Sequence, residues 1–184
     1  MESIKKYLKE NYHLSNYQVA QLAFLTKTIF SELSKIVIMS FLFHKQFSTY
    51  AFALFIMLFL RSSTGGLHFY TYGGCLLTSI LYIWLAVVAL PKLMMPPYIQ
   101  VVFLLISILT CYFVGPVVSK YRPTPSPQHA KRCRNITCIF IFIFTLLLYI
   151  IPDNPYMITG FWIIILHSLQ LLVAKIQKKG DYTE

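Results

Sequence analysis

A cysteine and a histidine lie seven residues apart in a polar interruption between two apolar runs. The interruption extends from Arg61 to Cys75 and contains His68. A cysteine thiolate is a nucleophile, and an imidazole beside it can accept the thiol proton. Such a pair is catalytic only in the right geometry. The pattern therefore predicts a candidate thiolate–imidazole site, with a packed structural cysteine and a helix-end histidine as the alternative.

Paired glycines stand on both sides of the histidine. Gly65-Gly66 precedes His68, and Gly73-Gly74 precedes Cys75. On one continuous helix, seven residues would separate the two side chains by about 10 Å. A hydrogen bond between them therefore requires a break, and we expect Gly73-Gly74 to supply its flexibility. The apolar run that follows should place Cys75 at a helix N-terminus, which favours the thiolate and offers N–H groups to an oxyanion.

The composition is that of a membrane protein. Hydrophobic residues make up 57% of the chain and charged residues 12%, whereas soluble domains are about 25% charged. We predict an all-α, polytopic membrane protein that forms a single domain over residues 1–184. Residues 1–13 favour an amphipathic surface helix, with a frayed terminus as the alternative. About six transmembrane or re-entrant helices are predicted at 17–43, 47–60, 76–90, 98–118, 136–151 and 156–174.

The net charge of +10 indicates how the chain is oriented in the membrane. The basic residues lie between apolar runs, which argues against nucleic-acid binding and favours the positive-inside rule. Both termini and a polar loop over residues 120–134 should then be cytoplasmic, with the His68/Cys75 break near the same face. The run at 47–60 is short for a span of about 20 residues. It and 76–90 could instead form a re-entrant hairpin.

Polar residues outside the break have simpler explanations. Glu32 can pair with Lys35 on the same helical face, or it can orient His68. Arg61 can orient the break, contact substrate carboxylates or snorkel to the interface. No cofactor motif and no set of metal ligands occurs in the chain.

The pattern Arg61-x-x-x-Gly65-Gly66-x-His68-x6-Cys75, within six apolar runs and before a basic loop, resembles the accessory gene regulator protein B (AgrB) family of bacterial quorum-sensing peptidases. The resemblance implies that Cys75 is the nucleophile and His68 its partner. It also implies an AgrD-type propeptide substrate, a cell-membrane location and a homodimer. The loop departs from the family because Gln128 and His129 interrupt its basic residues.

The resemblance implies cleavage between a signal segment and an acidic C-terminal tail, followed by cyclisation of the acylated segment to a thiolactone or lactone. The strongly basic cytoplasmic face suits an acidic tail, although topology alone also explains its charges. The candidate tail-binding residues are Lys120, Arg122, Lys131, Arg132 and Arg134.

The sequence is also compatible with two other functional classes. A small transporter or channel would show related broken helices in two halves, and this chain has one break. A non-catalytic scaffold would tolerate loss of both Cys75 and His68, whereas a cysteine peptidase would not.

Overall fold

The computed structural model describes residues 30–66, 71–93, 95–117 and 126–180, and these ranges are almost entirely helical. Within these ranges, the only backbone pairing of the β type is an isolated bridge between Gly65 and Val117. The helices are α1 (30–42), α2 (Phe47–Thr64), α3 (Tyr72–Trp84), α4 (Pro97–Val114), α5 (Pro127–Ile150) and α6 (Pro155–Gly180). A π-helical turn, Leu85–Ala89, and a 3-10 turn, Leu90–Lys92, continue α3. The predicted all-α class is confirmed.

Contacts divide the chain into two compact units, Met1–His44 and Lys45–Glu184. Helix α1 belongs to the first unit, and the other five helices belong to the second. The predicted surface helix at 1–13 and the first part of the run at 17–43 lie outside the described residues. The single domain over residues 1–184 stays a prediction.

Five of the described helices are long and apolar enough to cross a membrane. The run at 47–60 looked short because its polar end was assigned to the break. In the structure α2 continues through Arg61 to Thr64 and is preceded by a 3-10 turn, so this span has 21 residues. Large apolar side chains point outwards, among them Phe113 and Tyr149, which are 71% and 72% exposed. Such faces suit a lipid environment.

Two helices begin with a proline directly after a capping residue. Ser126 accepts a hydrogen bond from the His129 N–H, 3.3 Å away, at the start of α5. Asn154 Oδ1 accepts one from the Tyr156 N–H, 2.9 Å away, at the start of α6. A capping side chain followed by proline at the first helical position is a strong start signal. The predicted loop over 120–134 was therefore wrong beyond Ser126, because residues 127–134 form the first turns of α5.

Helix α6 is the centre of the second unit. More than half of its span is buried, against a third or less for each of the other four spans. It packs against α2 and α4, and α4 also packs along α5. Two polar contacts tie neighbours to α6. Tyr82 on α3 donates to the Ile163 carbonyl at 2.8 Å, and the Ser107 and Ser168 hydroxyls of α4 and α6 lie 3.2 Å apart. Such contacts fix helix register where apolar packing alone is not directional.

Candidate functional site

A cleft lined by three helices contains the predicted nucleophile. Its cavity volume is about 10 Å³, which is room for about one water molecule. Helix α2 contributes Met57 and Arg61, α3 contributes Cys75, Thr78, Ser79 and Tyr82, and α6 contributes Gln170. Cys75 is a partly exposed cysteine in this wall and forms no disulfide bond. The fold thus brings Arg61 and Cys75, the two ends of the predicted break, to one cavity.

The first turn of α3 holds Cys75 in place. Thr71 has extended backbone angles and is the N-cap, so α3 begins at Tyr72. The Thr71 hydroxyl accepts from the Gly74 N–H at 3.2 Å, and the Thr71 carbonyl accepts from the Cys75 N–H at 3.1 Å. The required break between His68 and Cys75 therefore lies at Thr71. Its assignment to Gly73-Gly74 was wrong, because both glycines are helical.

Because of this cap, fewer N–H groups are available to an oxyanion than the sequence predicted. Placement of Cys75 at a helix N-terminus is confirmed, which puts its sulfur close to the positive end of the helix dipole. The N–H groups of Gly74 and Cys75 are already hydrogen-bonded to Thr71. Of the first-turn amides near the sulfur, the Gly73 N–H has no intrahelical acceptor. An oxyanion beside Cys75 therefore cannot use all of the N–H groups that the sequence suggested.

The other glycine pair sits where the chain leaves α2. Gly65 has φ +79°, and a Cβ there would lie 2.1 Å from the Val117 carbonyl oxygen. Gly66 has φ +157°, and its missing Cβ would lie 3.5 Å from Oε1 of Gln170. Positive φ and close approach both favour glycine. The pair therefore lets the chain pass between the end of α4 and the carboxamide of Gln170.

A buried polar contact fixes the same end of α2. Thr64 and His167 are 0% and 1% exposed, and Thr64 Oγ1 lies 2.7 Å from His167 Nε2. The Thr64 hydroxyl also donates to the Leu60 carbonyl at 2.8 Å. Because a hydroxyl has one proton, the Nε2–H of His167 is then the donor to Thr64. The Thr64 carbonyl accepts from the Val117 N–H at 2.9 Å, so α2, α4 and α6 meet at this residue.

Three of the predicted site residues lie outside the described residues: His68, Lys120 and Arg122. The predicted ion pair of Glu32 is observed, since Lys35 Nζ lies 2.7 Å from Glu32 Oε1. Orientation of His68 by Glu32 stays a prediction.

The other candidate basic residues differ in whether their charged groups are exposed or packed against the protein. Lys131 and Arg132 are exposed on the first turns of α5. The guanidinium of Arg134 instead lies over the Tyr112 ring, 5.7 Å from its centroid, and its Nε is buried without a hydrogen-bond partner among the described residues. This contact places the start of α5 beside the end of α4. Lys175 Nζ, 3.5 Å from the Phe113 carbonyl, places the end of α6 there as well.

Within the described residues, most basic side chains of the five helices therefore lie at one end of the bundle. The ends of α2, α4 and α6 and the starts of α3 and α5 meet there, and the cleft lies at the same end. Its basic residues are Arg61, Lys131, Arg132, Arg134 and Lys175. Lys92 lies at the far end of the helical segment that begins beside Cys75.

Sequence reasoning missed the contributions of Gln170, Tyr82 and His167 to this region. Gln170 is a carboxamide within a strongly apolar run, which is a usable signal because polar groups in membrane spans usually face protein or water. Within the described ranges, no group of three histidine, cysteine or acidic side chains is placed to hold a metal ion.

Comparison with known proteins finds the same family that the sequence pattern resembles. The family model described as accessory gene regulator B matches residues 1–171. A curated relative from Clostridium beijerinckii, named an AgrB-like protein, is 31% identical over 147 residues, which cover 77% of this chain and 73% of the relative. No solved structure gives a significant match.

Proposed function

Because the chain belongs to the accessory gene regulator B family, we propose that it is a membrane-embedded cysteine endopeptidase that removes the C-terminal tail of an AgrD-type propeptide. The main support for this proposal is the position of Cys75. It lies on the first turn of α3 and in the wall of a cleft that also contains Arg61 and Gln170. The thiolate is the nucleophilic form of a cysteine. The cleft is partly open, so Cys75 is not sealed inside the bundle.

His68 is the proposed base. The segment that contains it leaves α2 at Gly66, which borders Gln170 of the cleft, and returns to the cleft at Cys75. Both ends of this short segment therefore border the same cavity. The His68 imidazole is the proposed acceptor of the thiol proton and the donor that returns it to a leaving amine.

The proposed reaction has two stages. The Cys75 thiolate attacks the carbonyl carbon at the junction between signal segment and tail, forming a C–S bond while the carbonyl electrons move to oxygen. Collapse of this intermediate breaks the C–N bond, and the leaving amine takes the proton from His68. The tail departs and the signal segment remains as a thioester on Cys75.

Cyclisation completes the second stage. A thiol or hydroxyl within the signal segment attacks the thioester, releases a thiolactone or lactone, and regenerates the Cys75 thiol. Hydrolysis would compete with this step, and a cavity within a bilayer limits access of water to the acyl-enzyme. The cyclic product would be the secreted signal of a quorum-sensing circuit.

The charge distribution supports a cytoplasmic location for this chemistry. Lys131 and Arg132 lie at the same end of the bundle as the cleft, together with Arg61 and Lys175. The positive-inside rule assigns such an end to the cytoplasm. In this orientation the carboxyl end of α6 is cytoplasmic, and the exposed basic residues of α5 can attract the acidic tail of the propeptide.

Co-expression with the AgrD-type propeptide from the same genome tests the proposal. Mass spectrometry should detect the released tail with the wild-type chain and not with Cys75→Ala or His68→Ala. A covalent adduct should appear on Cys75 when cyclisation is slowed. Cys133→Ala is the matched control, because it removes a partly exposed cysteine on α5, outside the cleft. Undiminished cleavage by Cys75→Ala would refute the peptidase and favour a transporter.

A further inference from the structure

The carboxamide of Gln170 is a polar group in the wall of the cleft. Its residue is partly buried on α6 and lies against Gly66, with Nε2 3.7 Å from the position of the missing Cβ. Among the described residues, no donor or acceptor forms a hydrogen bond with this carboxamide. A carboxamide in an apolar span that makes no such bond has its hydrogen-bonding capacity available for a ligand in the cleft.

Two other polar side chains of the cleft have already used their protons. Thr78 donates to the Gly74 carbonyl at 2.8 Å. Tyr82 donates to the Ile163 carbonyl, also at 2.8 Å. A hydroxyl with its proton committed can accept a hydrogen bond but cannot donate another. Neither of these side chains can therefore stabilise negative charge on a substrate oxygen.

Ser79 is the remaining hydroxyl. It lies four residues after Cys75, about 6 Å further along the axis of α3, and is only 9% exposed. Its position is deeper in the bundle than the sulfur. The side chain of Gln170 instead comes from a facing helix and borders Gly66, where the chain enters the cleft. A donor from this direction can approach a carbonyl that is attacked from α3.

The capped first turn of α3 adds an independent reason for a side-chain donor. The N–H groups of Gly74 and Cys75 already donate to Thr71, at 3.2 and 3.1 Å. These are the amides of Cys75 itself and of the residue before it. The Gly74 N–H, one of the donors that a helix N-terminus usually offers, is therefore already used by the cap, and the Cys75 N–H makes the first hydrogen bond within the helix.

We propose that the Gln170 carboxamide donates a hydrogen bond from Nε2 to the oxyanion that forms when Cys75 attacks the substrate carbonyl. This inference rests on the proposed peptidase function. As the C–S bond forms, the carbonyl π electrons move to oxygen, and Gln170 stabilises that charge without giving up its proton. When the C–N bond breaks, the oxyanion electrons re-form the carbonyl π bond, the leaving nitrogen takes the C–N bonding pair and a proton from His68, and the hydrogen bond from Gln170 weakens. Gln170 is in this sense a catalytic residue of the acylation step.

The test uses the full chain in proteoliposomes with the AgrD-type propeptide from the same genome. Gln170→Met keeps the length of the side chain and removes both donors, and Gln170→Glu keeps acceptors only. Loss of one oxyanion donor lowers turnover by about 100- to 1,000-fold. We expect a loss of this size in the single-turnover rate of tail release for both variants, with little change in the propeptide concentration that gives half-maximal rate.

Alkylation of Cys75 by iodoacetamide separates this role from a structural one. Alkylation displaces iodide at a saturated carbon and forms no oxyanion, so Gln170→Met should react with iodoacetamide at the wild-type rate. Equal losses in alkylation and in tail release would overturn the proposal, because they would indicate a displaced Cys75. Gln177→Met is the matched control, since Gln177 is exposed on the same helix and lies outside the cleft.

Two further outcomes are decisive. Wild-type tail release by Gln170→Met, or a loss confined to Ser79→Ala, would assign the donor elsewhere and refute the inference alone. Tail release by Cys75→Ala at the wild-type rate would refute the peptidase itself. The Cys75 and Gln170 variants, measured side by side, therefore distinguish the two failures.

Discussion

The imidazole of His167 lies 2.7 Å from the hydroxyl of Thr64 and joins the buried face of α6 to the last turn of α2. The next residue, Gly65, bends the chain away from α2, and Gly66 then passes the carboxamide of Gln170. Because His167 and Gln170 are three residues apart on α6, they lie on neighbouring positions of one helical face. One face of α6 thus anchors the end of α2 and contributes to the cleft.

Breaking this contact on one side should destabilise the protein. Thr64→Val removes the hydroxyl and leaves the His167 N–H buried without its acceptor. An unsatisfied buried polar group costs about 1–3 kcal/mol, so unfolding in mixed detergent micelles should occur at a lower denaturant fraction. Thr64→Ser keeps the hydroxyl and should lose much less stability.

A double variant checks that the cost comes from the pair. When both partners are replaced by apolar groups, no polar group is left unsatisfied. Thr64→Val combined with His167→Leu should therefore be more stable than the sum of the two single changes predicts. Strictly additive losses would mean that the two side chains do not interact in the folded protein.

The helices could be predicted from hydropathy because apolar length is a local property of the sequence. The position of Cys75 at a helix start was also local, since a polar glycine-rich segment precedes an apolar run. The helical state of Gly73-Gly74 was missed because Thr71, and not glycine flexibility, decides where α3 begins. The start of α5 at Pro127 was missed because polar residues read as a loop, although a serine cap followed by proline favours a helix.

The convergence of Gln170 with Cys75 could not be derived from spacing. The two residues lie on helices that are far apart in the chain, and only the packing of α6 against α2 and against the π-helical turn that continues α3 brings them to one cleft. The same holds for Thr64 and His167. Side chains that meet through tertiary packing leave only a weak local signal, here a polar group inside an apolar run.

A pair of glycine substitutions should have opposite effects on stability. Gly65→Ala would place a Cβ 2.1 Å from the Val117 carbonyl oxygen at φ +79°. The backbone angles of Gly65, φ +79° and ψ −147°, lie in a region that essentially only glycine adopts and that costs other residues about 1–3 kcal/mol, and the clash adds to that cost. We expect a large loss of folded protein, measured by monodisperse yield and by detergent unfolding.

Gly73→Ala is the matched comparison. Gly73 is helical, and a Cβ there meets nothing within 4 Å. Alanine at such a position typically stabilises by about 0.4–1 kcal/mol, because it restricts the unfolded chain. A destabilising effect of Gly73→Ala as large as that of Gly65→Ala would contradict the assignment of Gly73 to the first turn of α3.

Removal of the Thr71 cap should loosen the turn that carries Cys75. Thr71→Ala frees the Gly74 N–H, which now donates to the Thr71 hydroxyl at 3.2 Å. Loss of an N-cap costs about 1 kcal/mol, so hydrogen exchange of the Gly74 amide should become several-fold faster. Thr71→Ser keeps the acceptor and should exchange close to the wild-type rate. Equal exchange in all three proteins would show that the cap does not hold this turn.

The basic residues of α5 should separate into two groups. Lys131→Gln and Arg132→Gln remove exposed charges, each worth about 0.2–1 kcal/mol to an acidic partner. We expect a several-fold rise in the propeptide concentration that gives half-maximal cleavage, and little change in stability. Lys92→Gln, at the opposite end of the bundle, should change neither quantity. Because salt shortens the Debye length from about 10 Å at 0.1 M to about 3 Å at 1 M, the difference from wild type should shrink at high salt.

Arg134 should behave differently because its guanidinium lies over the Tyr112 ring. Arg134→Lys keeps the positive charge but loses the planar group that stacks on the ring. A cation–π contact contributes about 0.5–1 kcal/mol at exposed sites and more when it is desolvated. Detergent unfolding of Arg134→Lys should therefore occur earlier than that of Lys131→Gln, while the propeptide concentration for half-maximal cleavage stays near wild type. The reverse ranking would assign Arg134 to the propeptide and not to the packing of α4 against α5.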